Sequence, residues 1–377
     1  MIGPSPYVLI NMGARYVPCM RTLIVNGTNI GDSNLPWPCP NATSTTVSDV
    51  GFCTLKDLCG FNMGVTTFSN GTSVAQPNQW FRFITPIFLH GGIVHISFNL
   101  LLQLTLGRDI EKIIGTFRFL LVYFSAGIFG FVFGANFAPD GISSTGCSGA
   151  LFGILAIVLL DLLYTWPNRP SPTKDLLFLV LDFAIAFVIG LMPTLDNFSH
   201  IGGFLMGLVL GICILRSPDS LRERIGLDEP PYRAVDEPGA SFKDGGIQGF
   251  AKGPVGFFKG RKPAWWAWWL LRAGALVAVL VAFIVLIRNF YVFHSVCSWC
   301  KYLSCLVSDP AAEEHLVDML LTFPNSPSRS VARIGVMWVI FKLRTAIRPT
   351  RRNALSRWCL SMLEFFEVVL FGSSSIS

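Results

Sequence analysis

Long apolar runs bounded by polar or charged residues dominate the first three quarters of the chain. The runs long enough to cross a bilayer are residues 83–106, 117–138, 147–165, 175–193, 198–215 and 268–290. A helix of about 20 apolar residues spans the hydrocarbon core. The pattern therefore predicts an all-α protein that crosses a membrane several times.

The composition supports a membrane protein. Hydrophobic residues make up 52% of the chain and charged residues 14%, whereas about a quarter of the residues in a soluble domain are charged. The net charge of +6 does not indicate nucleic-acid binding, because the basic residues lie in particular loops. The first residues are too interrupted by Pro and Gly to form the apolar core of a cleavable signal peptide.

The basic loops predict the orientation. Lys and Arg follow the first, third and fifth apolar runs, nine of them between residues 216 and 267, and the loops at 139–146 and 194–199 have none. Cytosolic loops carry the excess of Lys and Arg. We therefore expect residues 1–82 and the two loops without Lys or Arg to face away from the cytosol.

Residues 1–82 carry two further marks of a lumenal segment. Three Asn-x-Thr sequences, at Asn26, Asn41 and Asn70, are acceptors for N-glycosylation. Four cysteines can pair in an oxidising compartment; they are Cys19, Cys39, Cys53 and Cys59. Near the end of the last run, Cys297, Cys300 and Cys305 favour disulfides over a metal site.

A serine and a histidine lie at similar depth in two apolar runs. Ser148 lies just inside the third run, and His200 begins the fifth; both runs enter from the lumenal side. Small residues let transmembrane helices approach closely. Gly149 and Gly153 flank Ser148, and Gly203, Gly207 and Gly211 follow His200, so we expect the two helices to pack tightly and to bring Ser148 to His200.

Such a pair has the parts of a nucleophile and its base. An imidazole can accept the proton of a serine hydroxyl near neutral pH. The oxyanion that follows needs hydrogen-bond donors, and His95, Asn99 and the backbone N–H of Ser148 supply them. His95 and Asn99 share a helix face but lie deeper than Ser148 unless their helix is tilted or shifted. No acidic residue is an obvious third partner, so the sequence favours a Ser–His dyad.

Less specific interpretations remain open for each residue. Ser148 can bond to a carbonyl of its own helix, and His95 and His200 can hold helices together. His90 can be a solvated residue near the interface. A zinc site lacks a Cys or carboxylate at ligand spacing, and Asp182, inside the fourth run, leaves a transporter as a distant alternative.

The motifs in this order resemble the rhomboid intramembrane serine proteases of the eukaryotic, fungal-like secretory-pathway kind. The residues that carry the resemblance are Trp80, Arg82, His90, His95, Asn99, Gly146, Ser148, Gly149, His200, Gly203 and Gly207. The resemblance covers about residues 4–306. It implies a rhomboid-like helical bundle with an additional C-terminal transmembrane helix.

The resemblance implies a role for each of these residues. Ser148 is the nucleophile, His200 the base, and His95 and Asn99 line the oxyanion hole with Ser148. Phe152 stacks on the His200 ring, and Trp80 and Arg82 belong to a lumenal loop that lies partly in the membrane. Substrates are single-span membrane proteins cut in or beside their span, and no cofactor, metal or nucleic acid takes part.

The expected organisation has five parts. They are a lumenal loop region at 1–82, a catalytic core of five spans at 83–215, a cytosolic linker at 216–267, an additional span at 268–290 and a tail at 291–377. The implied location is the Golgi, the endoplasmic reticulum or the plasma membrane. The chain starts inside what resembles the lumenal loop, so we expect one span of the family to be absent. After about Leu306, a genuine tail and translated non-coding sequence both stay open.

The alternative function is a catalytically inactive rhomboid-like protein that binds or escorts membrane clients. Inactive relatives usually lose the serine or the histidine, or have a proline just before the serine. This chain keeps Ser148 and His200 and has Cys147 before the serine. The sequence therefore favours an active protease.

Overall fold

The structure is a computed structural model. It describes residues 3–25, 27–42, 53–69, 71–189, 196–218, 221, 263–295, 297 and 300. All of these residues belong to the first of two compact units, Met1–Leu306. Nearly all of the expected cytosolic linker and the tail after residue 300 lie outside the described residues.

Apolar helices form most of the described chain, which confirms the predicted fold class. They are α4 (Ile93–Leu102), a π-helical turn (Gln103–Gly107) and α5 (Arg108–Ile114) in direct succession, then α6 (Thr116–Phe137), α7 (Ser148–Tyr164), α8 (Pro172–Ile189), α9 (Asn197–Ile214), α10 (Pro263–Arg288) and a final π-helical turn (Asn289–Phe293). By length and composition, α6, α9 and α10 with its π-helical turn are able to span a membrane, and α7 is a shorter apolar helix.

The first apolar run differs from its prediction. Residues 83–106 were expected to form one span, but Trp80–Phe83 and Thr85–Phe88 are short 3₁₀ turns and the helix begins only at Ile93. Pro86 lies in the second turn, and Gly92 has a φ of 146°, a conformation that favours glycine. These residues interrupt the run before the helix starts.

Glycines bring α6, α7 and α9 into close contact. A Cβ atom on Gly203 or Gly207 of α9 would collide with the carbonyl oxygen of Gly149 or Gly153 of α7, respectively. On the other side of α9, a Cβ on Gly130 of α6 would lie 2.6 Å from the carbonyl oxygen of Ser199. The expected tight packing of the third and fifth runs is therefore present.

Replacing Gly203 with alanine is expected to destabilise the protein by about 3 kcal/mol, because a backbone carbonyl has no room to move away. Thermal unfolding in detergent micelles measures this effect. The matched control is Gly274→Ala in α10, where an added Cβ meets nothing within 4 Å. Equal unfolding temperatures for the two variants would contradict the packing described here.

The N-terminal subdomain comprises the described residues up to Gln76 and contains short elements. They are α1 (Pro6–Asn11), α2 (Val17–Met20), β1 (Ile24–Val25), β2 (Thr28–Asn29), α3 (Leu55–Cys59), β3 (Gly64–Thr67) and β4 (Ser73–Gln76). The strands form two antiparallel hairpins, β1–β2 and β3–β4. Disulfides join Cys19 to Cys59 and Cys39 to Cys53, so the four cysteines do pair with one another.

Arg82 holds the N-terminal subdomain together. Its fully buried guanidinium donates to the carbonyl oxygens of Ile10, Ala14 and Cys59 at 2.6–2.7 Å, and its Nε donates to the Gln79 side chain. Burial lowers the pKa of Arg82, but four acceptors stabilise the cation and arginine stays charged at neutral pH. Arg82 is thus a structural residue that orders the chain before α4.

The C-terminal helix α10 packs on α6 and α9 and has further contacts at two levels. In its first half, Arg272 donates to the carbonyl oxygen of Leu215 at 2.7 Å. In the π-helical turn after α10, Phe290 is buried against Phe83, and Arg21 lies over the Phe290 ring. Close to that turn, Cys297 and Cys300 form a disulfide.

Candidate active site

Ser148 and His200 meet where α7 and α9 begin. The Oγ atom of Ser148, the first residue of α7, lies 2.7 Å from Nε2 of His200 in the first turn of α9. The His200 ring is stacked on Phe152, with ring centroids 4.5 Å apart and planes within 7°. The stacking fixes the plane of the imidazole, and Nε2 in that plane is directed at the hydroxyl.

The other ring nitrogen of His200 shows whether a third side chain is bonded to the imidazole. Nδ1 is buried and has no hydrogen-bond partner among the residues that the structure describes. In a neutral imidazole one nitrogen carries the proton and the other accepts. When Nε2 accepts the Ser148 proton, Nδ1 therefore keeps its own proton without the help of a carboxylate.

An acidic residue, Asp196, lies directly before the helix that carries His200. Asp196 is buried one helical turn before His200. Its oxygens accept from the amides of Phe198 and Ser199 and from the Ser199 hydroxyl, and the carboxylate forms an ion pair with Arg15. Asp196 therefore caps α9 and makes no bond to the imidazole.

His95 and Asn99 of α4 place hydrogen-bond donors near the start of α7. The amide of Gly91 donates to Nδ1 of His95 at 3.3 Å, so the proton of the neutral ring is on Nε2. The Nδ2 atom of Asn99 is buried and has no acceptor among the described residues. A Cβ on Gly146 would lie 2.8 Å from His95 Nε2 and 3.6 Å from Asn99 Nδ2.

Gly146 therefore keeps open the space that these two donors face. Its φ of 121° also belongs to a region that side chains other than glycine rarely adopt. The late start of α4 explains why the donors reach this level. His95 lies in the first turn of the helix and not deep within a longer span, so it is level with the start of α7.

The remaining predicted residues lie around this centre. His90 has its Nε2 3.5 Å from the Cys147 sulfur, and its ring packs edge-on against His95. Gly149, Gly203 and Gly207 form the contact between α7 and α9. Trp80 is 63% exposed and belongs to the turn that contains Arg82. Neither Trp80 nor Arg82 contacts the dyad; both lie in the segment before α4.

Arg15 and Asp196 are not among the residues that were predicted from the sequence. Arg15 has no local signal, because its partners lie far along the chain. Asp196 does have a local sequence signal, because an Asp immediately before a helix is a preferred N-cap residue. Among the described residues, no group of three or more His, Cys, Asp and Glu side chains is arranged to hold a metal ion.

Comparison with known proteins identifies a domain around this site. The model of the rhomboid domain matches residues 77–217, which include Ser148, His200, His95 and Asn99. Rhomboid-type serine protease 2 of Emericella nidulans is 55% identical over 321 residues, which cover 81% of this chain and 62% of that protein.

More distant relatives include both plant and human proteins. RHOMBOID-like protein 1 of Arabidopsis thaliana is 32% identical over 235 residues, covering 62% of this chain and 54% of that protein. Inactive rhomboid protein 2 of Homo sapiens is 37% identical over 139 residues, which cover 37% of this chain and 16% of that protein. The chain thus spans less than two thirds of the length of these relatives. With its rhomboid domain and its 55% identity to a fungal rhomboid-type serine protease, the chain is a membrane protein that contains a rhomboid domain.

Proposed function

We propose that this protein is an intramembrane serine endopeptidase that cleaves single-span membrane proteins in or beside their transmembrane segment. The observation that carries the proposal is the contact between Ser148 Oγ and His200 Nε2 at 2.7 Å, placed at the ends of two apolar helices. A Ser–His contact of this length is the geometry in which an imidazole activates a hydroxyl.

The proposed reaction begins when Ser148 Oγ attacks the carbonyl carbon of the scissile peptide bond. The hydroxyl proton passes to His200 Nε2, and the carbonyl oxygen becomes an oxyanion. His200 then gives the proton to the departing amine, which leaves an ester on Ser148. A water molecule, deprotonated by the same nitrogen, hydrolyses the ester and restores the free serine.

Three donors surround the place of the oxyanion. They are Nε2–H of His95, the Nδ2 amide of Asn99 and the backbone N–H of Ser148. As the first residue of α7, Ser148 has an N–H without an acceptor inside the helix, and the helix dipole favours negative charge there. The reaction uses only these protein groups and water, so the proposal includes no metal or cofactor.

Replacing Asn99 with alanine is expected to slow cleavage by about 100-fold or less, because two oxyanion donors remain. The rate is measured on a co-expressed single-span substrate and divided by the amount of folded enzyme. His95→Ala, measured in parallel, removes the other side-chain donor. If Asn99→Ala had no effect and His95→Ala abolished cleavage, the roles given to these residues would be wrong.

The membrane requirement is tested with one cleavage sequence in two contexts. We expect cleavage when the sequence lies in or next to the transmembrane segment of a reporter. We expect no cleavage when the same sequence joins two soluble domains. Ser148 lies between apolar helices, which in the proposed function are embedded in the bilayer, and a soluble linker does not enter the bilayer. Equal cleavage of both reporters would rule out an intramembrane protease.

We also propose that residues 1–82 face the lumen of the secretory pathway. Support comes from the two disulfides of the N-terminal subdomain and from Asn41, which is exposed in a turn. Treatment with an endoglycosidase is expected to increase the mobility of the protein on a gel. The increase should be smaller for Asn41→Gln, which has one acceptor fewer. An unchanged mobility of the parent chain would contradict this orientation.

The second candidate function is a binding protein without catalytic activity. Inactive rhomboid proteins are among the relatives of this chain, so the family includes such members. The intact dyad with its donor-lined space at Gly146 favours the protease. A binding protein would retain a client membrane protein without producing cleaved fragments.

A further inference from the structure

A buried ion pair connects the N-terminal subdomain to the helix that carries His200. The guanidinium of Arg15 lies 3.1 Å from the carboxylate of Asp196, and the two side chains are 0% and 1% exposed. Removing two charges from water is costly unless both are well bound. The proposed reaction uses neither residue, so their burial calls for another explanation.

Asp196 fixes the first turn of α9. One carboxylate oxygen accepts from the amides of Phe198 and Ser199 at 3.0 and 3.2 Å, and the other accepts from the Ser199 hydroxyl. The backbone amide of His200 donates to the Asp196 carbonyl at 3.4 Å. The carboxylate thereby determines where the turn that contains His200 begins.

The main chain of Arg15 holds the segment that leads to Ser148. Its N–H donates to the Ser144 carbonyl at 3.0 Å, and the Ser144 N–H donates back to the Arg15 carbonyl at 2.9 Å. Ser144 lies four residues before the nucleophile. Arg15 therefore contacts the approach to Ser148 through its backbone and the beginning of the His200 helix through its side chain.

The surroundings of Asp196 leave little freedom for adjustment. Any Cβ on Gly134 of α6 would collide with the Asp196 carboxylate, and a Cβ on Gly149 of α7 would lie 3.1 Å from the Ser199 carbonyl oxygen. The segment from Asp196 to Ser199 is thus seated directly on α6 and α7. A shift of its carboxylate moves the start of α9 relative to Ser148.

We infer that Arg15 and Asp196 are positioning residues that set the geometry between Ser148 and His200, which makes the segment around Arg15 part of the catalytic assembly. The catalytic consequence rests on the proposed function. A misplacement of reacting groups by about 1 Å can cost about 100-fold in rate. Loss of the ion pair should therefore slow reactions at Ser148 even in correctly folded protein.

The test compares variants with similar volume. Arg15→Met removes the cation, Asp196→Asn keeps an N-cap acceptor but removes the anion, and the double variant removes both charges. Each full-length protein is solubilised, its folded fraction is isolated, and the rate at which a fluorophosphonate labels Ser148 is measured beside its unfolding temperature. Arg21→Met is the control, because Arg21 lies in the same segment but pairs with the half-exposed Asp140.

We expect Arg15→Met to label about 10- to 100-fold more slowly than the parent protein, and Arg21→Met to label at the parent rate. The double variant should regain unfolding temperature, since no unpaired charge stays buried, yet remain slow. Arg15→Lys, which keeps the charge, should label faster than Arg15→Met. A double variant that labels at the parent rate would show a purely structural role and overturn the inference.

A readout without catalysis separates this inference from the proposed function. Cys147 is a free, buried cysteine next to Ser148, and Cys213 is a half-buried reference. Alkylation of each is followed by peptide mass spectrometry. Arg15→Met should increase the reactivity of Cys147 relative to Cys213. If the parent chain does not react with the fluorophosphonate but Cys147 responds, the proposed function fails and the positioning stands; if labelling succeeds and neither readout responds to Arg15→Met, the positioning fails.

Discussion

Ser148→Ala is expected to abolish cleavage of a co-expressed single-span substrate, a loss on the order of 10⁵-fold or more for a catalytic unit of this kind. The variant removes the oxygen that lies 2.7 Å from His200 Nε2 and leaves everything else in place. Alanine is smaller than serine and fits the same glycine-lined site, so the amount of folded protein should not change. Immunoblots of substrate fragments and of the enzyme measure both quantities.

The control for this prediction is a second serine in an apolar helix. Ser125→Ala in α6 makes the same chemical change away from the start of α7 and should leave cleavage unchanged. Fragments produced by Ser148→Ala at more than a few per cent of the parent level would exclude Ser148 as the nucleophile.

Replacing His200 with alanine is expected to be as severe as replacing Ser148. Without the imidazole no described side chain is within hydrogen-bond distance of the Ser148 hydroxyl to accept its proton. Because the two residues act as one unit, the double variant Ser148→Ala/His200→Ala should be no slower than either single variant. The cleavage rate per folded molecule is the relevant measurement, since the alanine also removes the stacking on Phe152.

Substantial cleavage by His200→Ala would mean that another group accepts the proton. A double variant slower than both single variants would show that Ser148 and His200 act independently. Either result would contradict a dyad, whereas equal losses in all three variants support it.

The helices and the contact between Ser148 and His200 could be predicted from local sequence patterns. Apolar runs that are long enough to span a membrane predict helices. The glycine repeats beside Ser148 and after His200 indicated a close contact between α7 and α9. The first run was placed incorrectly because its hydropathy continues through the 3₁₀ turn that contains Pro86 and through Gly92, whose φ of 146° interrupts the helix. The same error placed His95 deeper than Ser148 unless its helix was tilted or shifted.

Long-range contacts were less accessible from the sequence. Four cysteines allow three pairings, and only the structure selects Cys19 with Cys59 and Cys39 with Cys53. The contact between Arg15 and Asp196 joins residues far apart in the chain, and a single arginine before a short helix carries no pattern. Such contacts depend on the assembled fold, which local periodicity does not encode.

The most direct test of the central claim is the site of covalent modification by a fluorophosphonate, mapped by mass spectrometry in the full-length, membrane-embedded protein. The reagent phosphonylates a serine only when a base activates its hydroxyl. We predict an adduct on Ser148 in the parent chain and none on Ser148 when His200 is replaced by alanine. No adduct in the parent chain, an adduct on a different serine, or an equal adduct without His200 would contradict this prediction.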